Sequence, residues 1–282
     1  METDHKEAAK TPSCEEAYTI NGQKLRLFSR RWKVSGQAAR AAVVLVHGFS
    51  WHSAYFQELA EALSEAGYAV STYDLQDNKG HGRSDSLLGI RGYAKSFDDH
   101  VDDLEQQVRI AHGLHEDLPV FAFGESMGGL LLLMFALRPA ARDLLRGVIL
   151  SAPVIAVADS VLPPKPAVAV LRFLAKLFPR TPLPSSEIKD GHVAAFGNRE
   201  IALASLEDSL VLISLPFLVM HGTEDERTEL KHSETLYSEA RSSKKDIKRY
   251  NGAKHQLLQD TPEITAAVIS DIINWLNEQV AT

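Results

Sequence analysis

A serine, an acid and a histidine follow one another along this chain in an order that could support nucleophilic catalysis. The serine is Ser126, at the centre of the G-x-S-x-G sequence Gly124-Glu-Ser-Met-Gly128. A serine hydroxyl is a weak nucleophile at neutral pH, so it needs a histidine to take its proton and a carboxylate to orient that histidine. Such a set of groups attacks a carbonyl carbon and carries its acyl group on the serine.

The sequence around Ser126 has the context that this motif requires. The buried strand Val120–Phe123 precedes it, and the apolar helix Met127–Leu137 follows it. A sharp strand-to-helix turn needs small residues on both sides of a strained serine, and it lifts the hydroxyl above the sheet, close to a helix N-terminus that favours negative charge. The alternative is a glycine-rich turn that contains a serine by chance.

His255 is the best candidate for the base. A G-x-S-x-G turn in this context is typical of the α/β-hydrolase fold, in which the acid and then the histidine follow the serine. Only His221, His232 and His255 come late enough in the chain. We interpret His221 as structural because it precedes the candidate acids, and His232 as solvated at a helix start. His255 follows the predicted strand Asp246–Tyr250 and therefore reaches the edge of the sheet where Ser126 is expected.

Three neighbouring carboxylates compete for the role of the acid. They lie in His221-Gly-Thr-Glu-Asp-Glu226, directly after the predicted strand Phe217–Met220. Asp225 fits best by its spacing from the strand end. Glu224 is the reserve, since spacing alone does not determine where a side chain points. Asp260 is interpreted as a surface charge at the entry to a helix.

The oxyanion of the reaction needs backbone donors. In the α/β-hydrolase fold one N–H comes from the loop after an early strand, and the other from the residue that follows the nucleophile. We therefore predict the N–H groups of Phe49 and Met127 as the donors, with Gly48 allowing close approach. His47 is interpreted as a residue that braces this loop through a hydrogen bond and takes no part in proton transfer.

The elements that must position these residues alternate along the chain. Strands without polar alternation, separated by helices, predict an α/β fold with a mostly parallel, doubly wound sheet. All strands then end at one edge, where ligands bind. The predicted strands are Ala41–Val46, Tyr68–Tyr73, Val120–Phe123, Gly147–Leu150, Phe217–Met220 and Asp246–Tyr250. The predicted helices are Ala54–Ala66, Phe97–Leu114, Met127–Leu137, Lys231–Ala240 and Pro262–Val280, after a hairpin of Ala17–Ile20 and Lys24–Trp32.

Four segments organise the chain. We predict a loose tail over residues 1–15, the first part of the core over 16–151, a cap over 152–215 and the second part of the core over 216–282. Seven prolines interrupt the alternation within the cap. The cap also contains the amphipathic helix Ala167–Phe178, whose Arg172 and Lys176 lie on its polar side. Such a helix either contacts an anionic membrane surface or packs over the core with its charges solvated.

Composition narrows the function further. The formal charge of −7, from 37 acidic and 30 basic residues, argues against a nucleic-acid partner. The single cysteine, Cys14, excludes an intrachain disulfide and suits a reducing compartment. The polar N-terminus and the lack of a long apolar run predict a cytoplasmic protein, with peripheral membrane contact as the variant. No metal-ligand spacing is present, so we expect neither a metal nor an organic cofactor; the oligomeric state is open.

The motifs together resemble those of monoacylglycerol lipases and lysophospholipase-like serine hydrolases, especially of the plant type. The matching segments are Val46–Ser53, Gly80–Asp85, Gly124–Gly129, Pro216–Asp225 and Gly252–Leu258. The resemblance implies the triad Ser126, Asp225 and His255, and a substrate that is a monoacylglycerol, a lysophospholipid or another small acyl ester. An acyltransferase that uses the same triad and a non-catalytic ligand-binding homologue are the alternatives.

The chain departs from this family pattern in two places. The link Asp74–Lys79 is longer than usual, and we expect it to be a surface loop that tolerates the extra length. The cap is shortened, because His192–Ser214 passes quickly into Leu215-Pro216. Since the cap forms the acyl channel in the family, its shortening is expected to change the substrate range.

Overall fold

The computed structural model describes residues 13–34, 37–76, 82–87, 96–156, 206 and 209–281. Eight strands form one sheet in the order β1-β2-β4-β3-β5-β6-β7-β8. The strands are β1 Cys14–Ile20, β2 Arg26–Trp32, β3 Ala41–Val46, β4 Tyr68–Tyr73, β5 Val120–Glu125, β6 Gly147–Ser151, β7 Phe217–Gly222 and β8 Lys245–Tyr250. The described helices are α1 Gln57–Glu65, α2 Phe97–Leu114, α3 Met127–Ala136, α4 Pro139–Leu144, α5 Leu230–Glu239 and α6 Pro262–Val280.

The sheet is parallel from β4 to β8, which confirms the predicted α/β class. Every residue of β3, β5, β6 and β7 is buried, as expected for strands covered on both faces. Only β1 and β2 run antiparallel, and β2 joins the parallel part through an antiparallel pairing with β4. Parallel pairing brings the C-terminal ends of β3, β5 and β7 to one edge, where the predicted site residues follow.

Two apolar clusters cover the two faces of the sheet. Alternation along β3 places Val44 and Val46 in one cluster and Val43 and Leu45 in the other. Helices α2 and α3 pack on the first face, and α1 and α6 pack on the second. This is the doubly wound arrangement predicted from the alternation of strands and helices.

Several boundaries differ from the prediction. The first strand begins earlier than predicted, at Cys14 instead of Ala17, and Cys14 pairs with Trp32. The first part of the predicted helix Ala54–Ala66 is a 3-10 turn, Ser53–Phe56, whose N-cap is His52. The short helix α4 was not predicted; it has six residues and begins at Pro139, and so few residues show no helical period.

The link that starts at Asp74 was predicted to be a surface loop, and its described part is buried. Asp74, Leu75 and Gln76 are each no more than 2% exposed. The carboxylate of Asp74 accepts hydrogen bonds from the backbone N–H groups of Ser53 and Arg83, at 2.7 and 2.6 Å. The link therefore ties the segment after β3 to the chain beyond it, because a buried carboxylate needs such donors. Residues 77–81 lie outside the described residues.

Most of the predicted cap also lies outside the described part of the chain. The amphipathic helix Ala167–Phe178 and the stretch His192–Ser214, apart from Leu206 and residues 209–214, belong to it. The four-segment organisation and the shortened cap therefore stay predictions.

Candidate active site

Ser126 lies in a sharp turn between β5 and α3. Its backbone is in the left-handed region, with φ 55° and ψ −115°, a conformation that costs free energy and that the surrounding hydrogen bonds must hold. The Ser126 N–H donates to the carbonyl of Ser151, at 2.9 Å, and the N–H of Val154 donates to the Ser126 carbonyl, at 3.1 Å. The turn is thus fastened to the end of β6.

Glycine is required on both sides of the turn. A Cβ atom on Gly124 would lie 2.5 Å from the carbonyl oxygen of Gly128. A Cβ atom on Gly128 would lie 2.1 Å from the carbonyl oxygen of Val46, in β3. Both distances are far below van der Waals contact, so the G-x-S-x-G spacing follows from the close approach of three backbone segments.

His255 approaches the serine from the loop that follows β8. It follows β8, and its Nε2 lies 2.9 Å from the Oγ atom of Ser126. The histidine is 8% exposed. The N–H of Lys254, just before it, donates to the carboxylate of Asp260, at 2.9 Å. Asp260, interpreted from sequence as a surface charge, therefore holds the loop that presents the histidine.

Asp225 lies on the far side of the imidazole. Its Oδ2 is 2.7 Å from His255 Nδ1, and its side chain is fully buried. The Oδ1 atom accepts the backbone N–H groups of Arg227 and Thr228, at 2.8 and 3.0 Å. Burial by itself raises the pKa of Asp225, but hydrogen bonds from His221 and His255 outweigh it and hold this pKa well below its ordinary value. Asp225 is therefore ionised at neutral pH.

Two residues that support Asp225 were not identified from the sequence. The hydroxyl of Thr228 donates to Asp225 Oδ2, at 2.7 Å, and lies 3.2 Å from His255 Nδ1. His221 Nε2 lies 3.2 Å from the same oxygen, and its Nδ1 contacts the hydroxyl of Ser233, at 2.8 Å. His221 is thus structural, as predicted, but its position gives it a specific partner in the acid. Thr228 belongs to no motif found in the sequence, and His221 lies in the matching segment Pro216–Asp225. Spacing gave no signal that either side chain contacts the acid.

The other candidates lie elsewhere. Glu224, the reserve acid, is exposed, and its N–H donates to the carbonyl of Ala253. His232 is half-buried within α5. Asp225 is consequently the carboxylate that the fold brings to His255.

The loop after β3 passes directly beside the serine. A Cβ atom on Gly48 would lie 3.2 Å from Ser126 Cβ and 3.7 Å from its Oγ. His47 is fully buried; its Nδ1 lies 2.8 Å from the Gly48 carbonyl, and its Nε2 accepts the N–H of Leu75, at 3.0 Å. Burial lowers the pKa of His47 to about 4, so it stays neutral and braces the loop. Phe49 follows in the chain, and its role as an oxyanion donor stays a prediction.

Met127 is the first residue of α3. The first-turn amides of a helix have no carbonyl partner within that helix, and the helix dipole favours a negative charge beside them. The Met127 N–H therefore suits an anion that forms next to Ser126.

Aromatic rings lie beside this loop. The rings of Trp51 and Tyr55 are 3.9 Å apart between centroids, and His52 meets Tyr55 edge-on at 4.7 Å. Tyr55 is 44% exposed. The side chain of Gln259, from the turn after His255, donates to the Tyr55 carbonyl, at 3.4 Å. This hydrogen bond ties the segment that carries the rings to the turn after His255.

Within the described ranges no group of histidine, cysteine, aspartate and glutamate side chains is arranged to hold a metal ion. No described helix is long and apolar enough to cross a membrane.

The family is decided by a match over most of the chain. The family described as "Serine aminopeptidase, S33" matches residues 37–200 and 201–262. The chain belongs to this S33 family of hydrolases. The S33 match, the parallel sheet and the Ser126 turn agree with the α/β-hydrolase fold expected from the sequence.

Relatives of this S33 member include several lipases. The monoglyceride lipase of Mus musculus is 29% identical over 285 residues, which cover 94% of this chain and 91% of that protein. The caffeoylshikimate esterase of Arabidopsis thaliana is 29% identical over 289 residues, covering 93% and 84%. A soluble variant of monoglyceride lipase from Saccharomyces cerevisiae, solved with a substrate analogue, matches with a TM-score of 0.79 and 23% identity over 98% of both chains. The protein is therefore a carboxylic ester hydrolase similar to the monoglyceride lipases.

Proposed function

We propose that the protein cleaves acyl esters through an acyl-enzyme on Ser126. His255 Nε2 takes the serine proton as Oγ attacks the ester carbonyl, and the N–H groups of Phe49 and Met127 stabilise the oxyanion. Protonated His255, oriented by Asp225, then gives its proton to the leaving alcohol. Water enters, gives a proton to His255 and attacks the acyl carbon. As the bond to Ser126 Oγ breaks and the free acid leaves, His255 returns that proton to Oγ.

One observation carries this proposal: a continuous hydrogen-bonded line from Ser126 through His255 to Asp225. Its two links measure 2.9 and 2.7 Å, distances at which proton transfer and ring orientation are both efficient. The carboxylate is buried and ionised, and it accepts from the imidazole on the side away from the serine. A non-catalytic binding protein has no need of such a line.

The chemistry can be tested with a fluorophosphonate, which labels activated serines. We expect wild-type protein to be labelled and Ser126→Ala to be unlabelled. Ser238→Ala is the matched control, because Ser238 is an exposed serine on α5, and we expect it to label like the wild type. A folded wild-type sample that remains unlabelled would refute the proposed nucleophile.

The proposed substrates are monoacylglycerols or lysophospholipids, which is supported by the monoglyceride lipases among the relatives. We expect turnover of a glycerol monoester and of a lysophospholipid to exceed that of a soluble short-chain ester. Cleavage of the short ester alone would overturn the lipase proposal and leave the hydrolase intact. Added alcohol tests acyl transfer, since an acyltransferase forms a new ester where a hydrolase releases free acid.

A second candidate substrate is an ester with an aromatic group. The close ring pair of Trp51 and Tyr55, in the segment that follows Gly48, favours it, because flat rings pack well on aromatic side chains. The similarity to a caffeoylshikimate esterase supports the same direction. We expect Tyr55→Ala to raise KM for an aromatic ester and to leave a short aliphatic ester unchanged. Tyr237→Ala is the matched control, because Tyr237 is an exposed tyrosine on α5. Equal KM values in wild type, Tyr55→Ala and Tyr237→Ala would exclude this candidate.

Peripheral membrane contact through Ala167–Phe178 is also a proposal. Its support is the basic amphipathic pattern of that segment. Co-sedimentation with vesicles that contain anionic phosphatidylserine tests it, and we expect Arg172→Glu with Lys176→Glu to reduce binding. Wild-type protein that stays in the supernatant at low salt would contradict membrane contact.

A further inference from the structure

A buried acid lies directly before the nucleophile and takes no part in the mechanism above. Glu125 is the last residue of β5 and is only 2% exposed. Its Oε2 atom is buried and has no hydrogen-bond partner among the described residues. An unpartnered buried polar atom is rare in proteins and calls for a specific explanation.

A second unpartnered group stands opposite this acid. Glu125 pairs in register with Ser151, the last residue of β6, so both side chains emerge on the same face of neighbouring strands. Ser151 is fully buried, and its Oγ atom also lacks a partner within the described ranges. Phe123 and Ile149, two positions earlier on each strand, belong to the cluster beneath α1 and α6. Both orphaned groups therefore lie on the face of the sheet that α1 and α6 cover, and we call this apolar region the enclosure.

This enclosure lies directly beneath the nucleophile turn. The carbonyl of Ser151 accepts the Ser126 N–H, so the same two strand ends carry the orphaned groups and hold the strained serine. Any shift of Glu125 or Ser151 is therefore transmitted to Ser126 through one peptide bond or one hydrogen bond.

We propose that Glu125 is a positioning residue that works as an un-ionised acid, and that it shares one buried water molecule with the Ser151 hydroxyl beneath the nucleophile turn. A bound water supplies the donors and acceptors that both groups lack, since buried waters typically make about three hydrogen bonds. The acid must stay neutral because a carboxylate there would lie close to the oxyanion, and two negative charges in an apolar interior repel each other strongly.

Other elements around the enclosure carry titratable groups that have partners of their own or are not buried. On β8 the hydroxyl of Tyr250 contacts Met220 Sδ, at 3.6 Å, and Asp271 Oδ2, at 2.8 Å, and Lys248 pairs with the same aspartate. On β3 the neighbouring His47 bonds the Leu75 N–H and is neutral. In the loop after β8, His255 is hydrogen-bonded to Ser126 and Asp225. The acids of α1 that are not buried are Glu58, Glu61 and Glu65.

Burial also favours the neutral form of Glu125. It raises the pKa of Glu125 from an ordinary 4.5 to about 8. The folded protein therefore keeps a proton that the unfolded chain loses between these values. Since the folded state binds more protons in this window, its stability falls as pH rises from about 4.5 to about 8.

The test is the pH dependence of kcat and KM on a soluble ester for Glu125→Gln, Glu125→Leu and wild type, between about pH 6 and 10. Glutamine keeps the shape and a donor without a charge, so we expect kcat at neutral pH within about threefold of wild type. In wild type we expect kcat to fall at alkaline pH as Glu125 loses its proton, and we expect this alkaline fall to be weaker in Glu125→Gln. Leucine removes the polar partner, and we expect kcat to fall about tenfold or more with KM little changed. An alkaline fall that persists in Glu125→Gln, or a wild-type kcat in Glu125→Leu, overturns the proposal.

Two further measurements keep the test independent of folding defects. Ser151→Ala removes the second partner, and we expect a smaller loss of kcat with the alkaline fall retained; a Ser151→Ala protein identical to wild type contradicts the shared water. The melting temperature of Glu125→Gln should rise relative to wild type between about pH 5 and 8, and a constant difference contradicts the neutral acid. The inference rests on Ser126 as nucleophile. A Ser126→Ala protein that still turns over ester overturns that role first.

Discussion

Asp225→Asn is the perturbation whose consequence the structure defines most sharply. The substitution keeps size and shape and exchanges one carboxylate oxygen for an NH2 group. The orientation of the new amide is determined by its surroundings. Oδ1 accepts two backbone N–H groups, from Arg227 and Thr228, so the amide oxygen must occupy that position. The NH2 group then takes the place of Oδ2, 2.7 Å from His255 Nδ1.

This orientation of the amide reverses the tautomer of the His255 imidazole. A carboxylate only accepts, so Asp225 keeps the proton of His255 on Nδ1 and leaves Nε2 free to accept from Ser126, 2.9 Å away. An NH2 group only donates, so Nδ1 must become the acceptor and Nε2 must carry the proton. His255 then has no lone pair for the serine proton. In another serine hydrolase this loss of the correct tautomer lowers kcat about 10⁴-fold, which corresponds to roughly 5 kcal/mol.

The assay is kcat/KM on a soluble chromogenic ester, together with the rate of fluorophosphonate labelling. We expect Asp225→Asn to lose about 10⁴-fold in kcat. The matched control is Glu224→Gln, which makes the same chemical change in the adjacent, exposed carboxylate and should leave kcat unchanged. A loss of less than about tenfold in Asp225→Asn, or an equal loss in Glu224→Gln, would refute the tautomer argument.

Three other predictions follow from the same geometry. Thr228→Val removes a hydrogen bond to the ionised Asp225 and should lower kcat about 10- to 100-fold, whereas Thr228→Ser should keep most of it; equal rates in the two variants would contradict a role for the hydroxyl. Gly128→Ala should abolish soluble, folded protein or activity, because its Cβ would lie 2.1 Å from the Val46 carbonyl oxygen; a fully active variant would show that the turn relaxes. The pKa of Asp225 is lowered in the folded state, so its stabilising effect is present above the ordinary pKa and is lost progressively as pH falls from that value toward the lower folded pKa. The gap between the melting temperatures of wild type and Asp225→Asn should therefore begin to narrow as pH falls below about 4, and a constant gap would contradict this linkage.

Elements with a strong period were predictable to within a few residues. The helices Phe97–Leu114 and Pro262–Val280 have the predicted bounds, because a long amphipathic pattern and a clear N-cap are local properties. Strands β5, β6 and β7 extend one or two residues beyond the prediction. Their last residues are polar or glycine, and only pairing with neighbouring strands makes them part of the sheet.

The buried link at Asp74 shows why a local pattern can mislead. Asp-Leu-Gln-Asp-Asn-Lys is polar and predicts a solvated loop, yet Asp74 and Gln76 are buried. Their partners, Ser53 and Asp103, are distant in sequence. Polar side chains tolerate burial when such partners satisfy them, and this condition depends on the tertiary structure.

The sequence by itself determined the class of fold and singled out Ser126 and His255 as the proposed nucleophile and base, because each depends on local context: a strand and a helix around Ser126, a loop after a strand for His255, and an alternating pattern of buried strands. Only the tertiary structure decided between Glu224 and Asp225, and only it placed Thr228 and His221 on the acid and Ser151 opposite Glu125. The physical reason is that hydrogen bonds and burial depend on side-chain direction and on neighbours many residues away, which spacing along one chain does not encode.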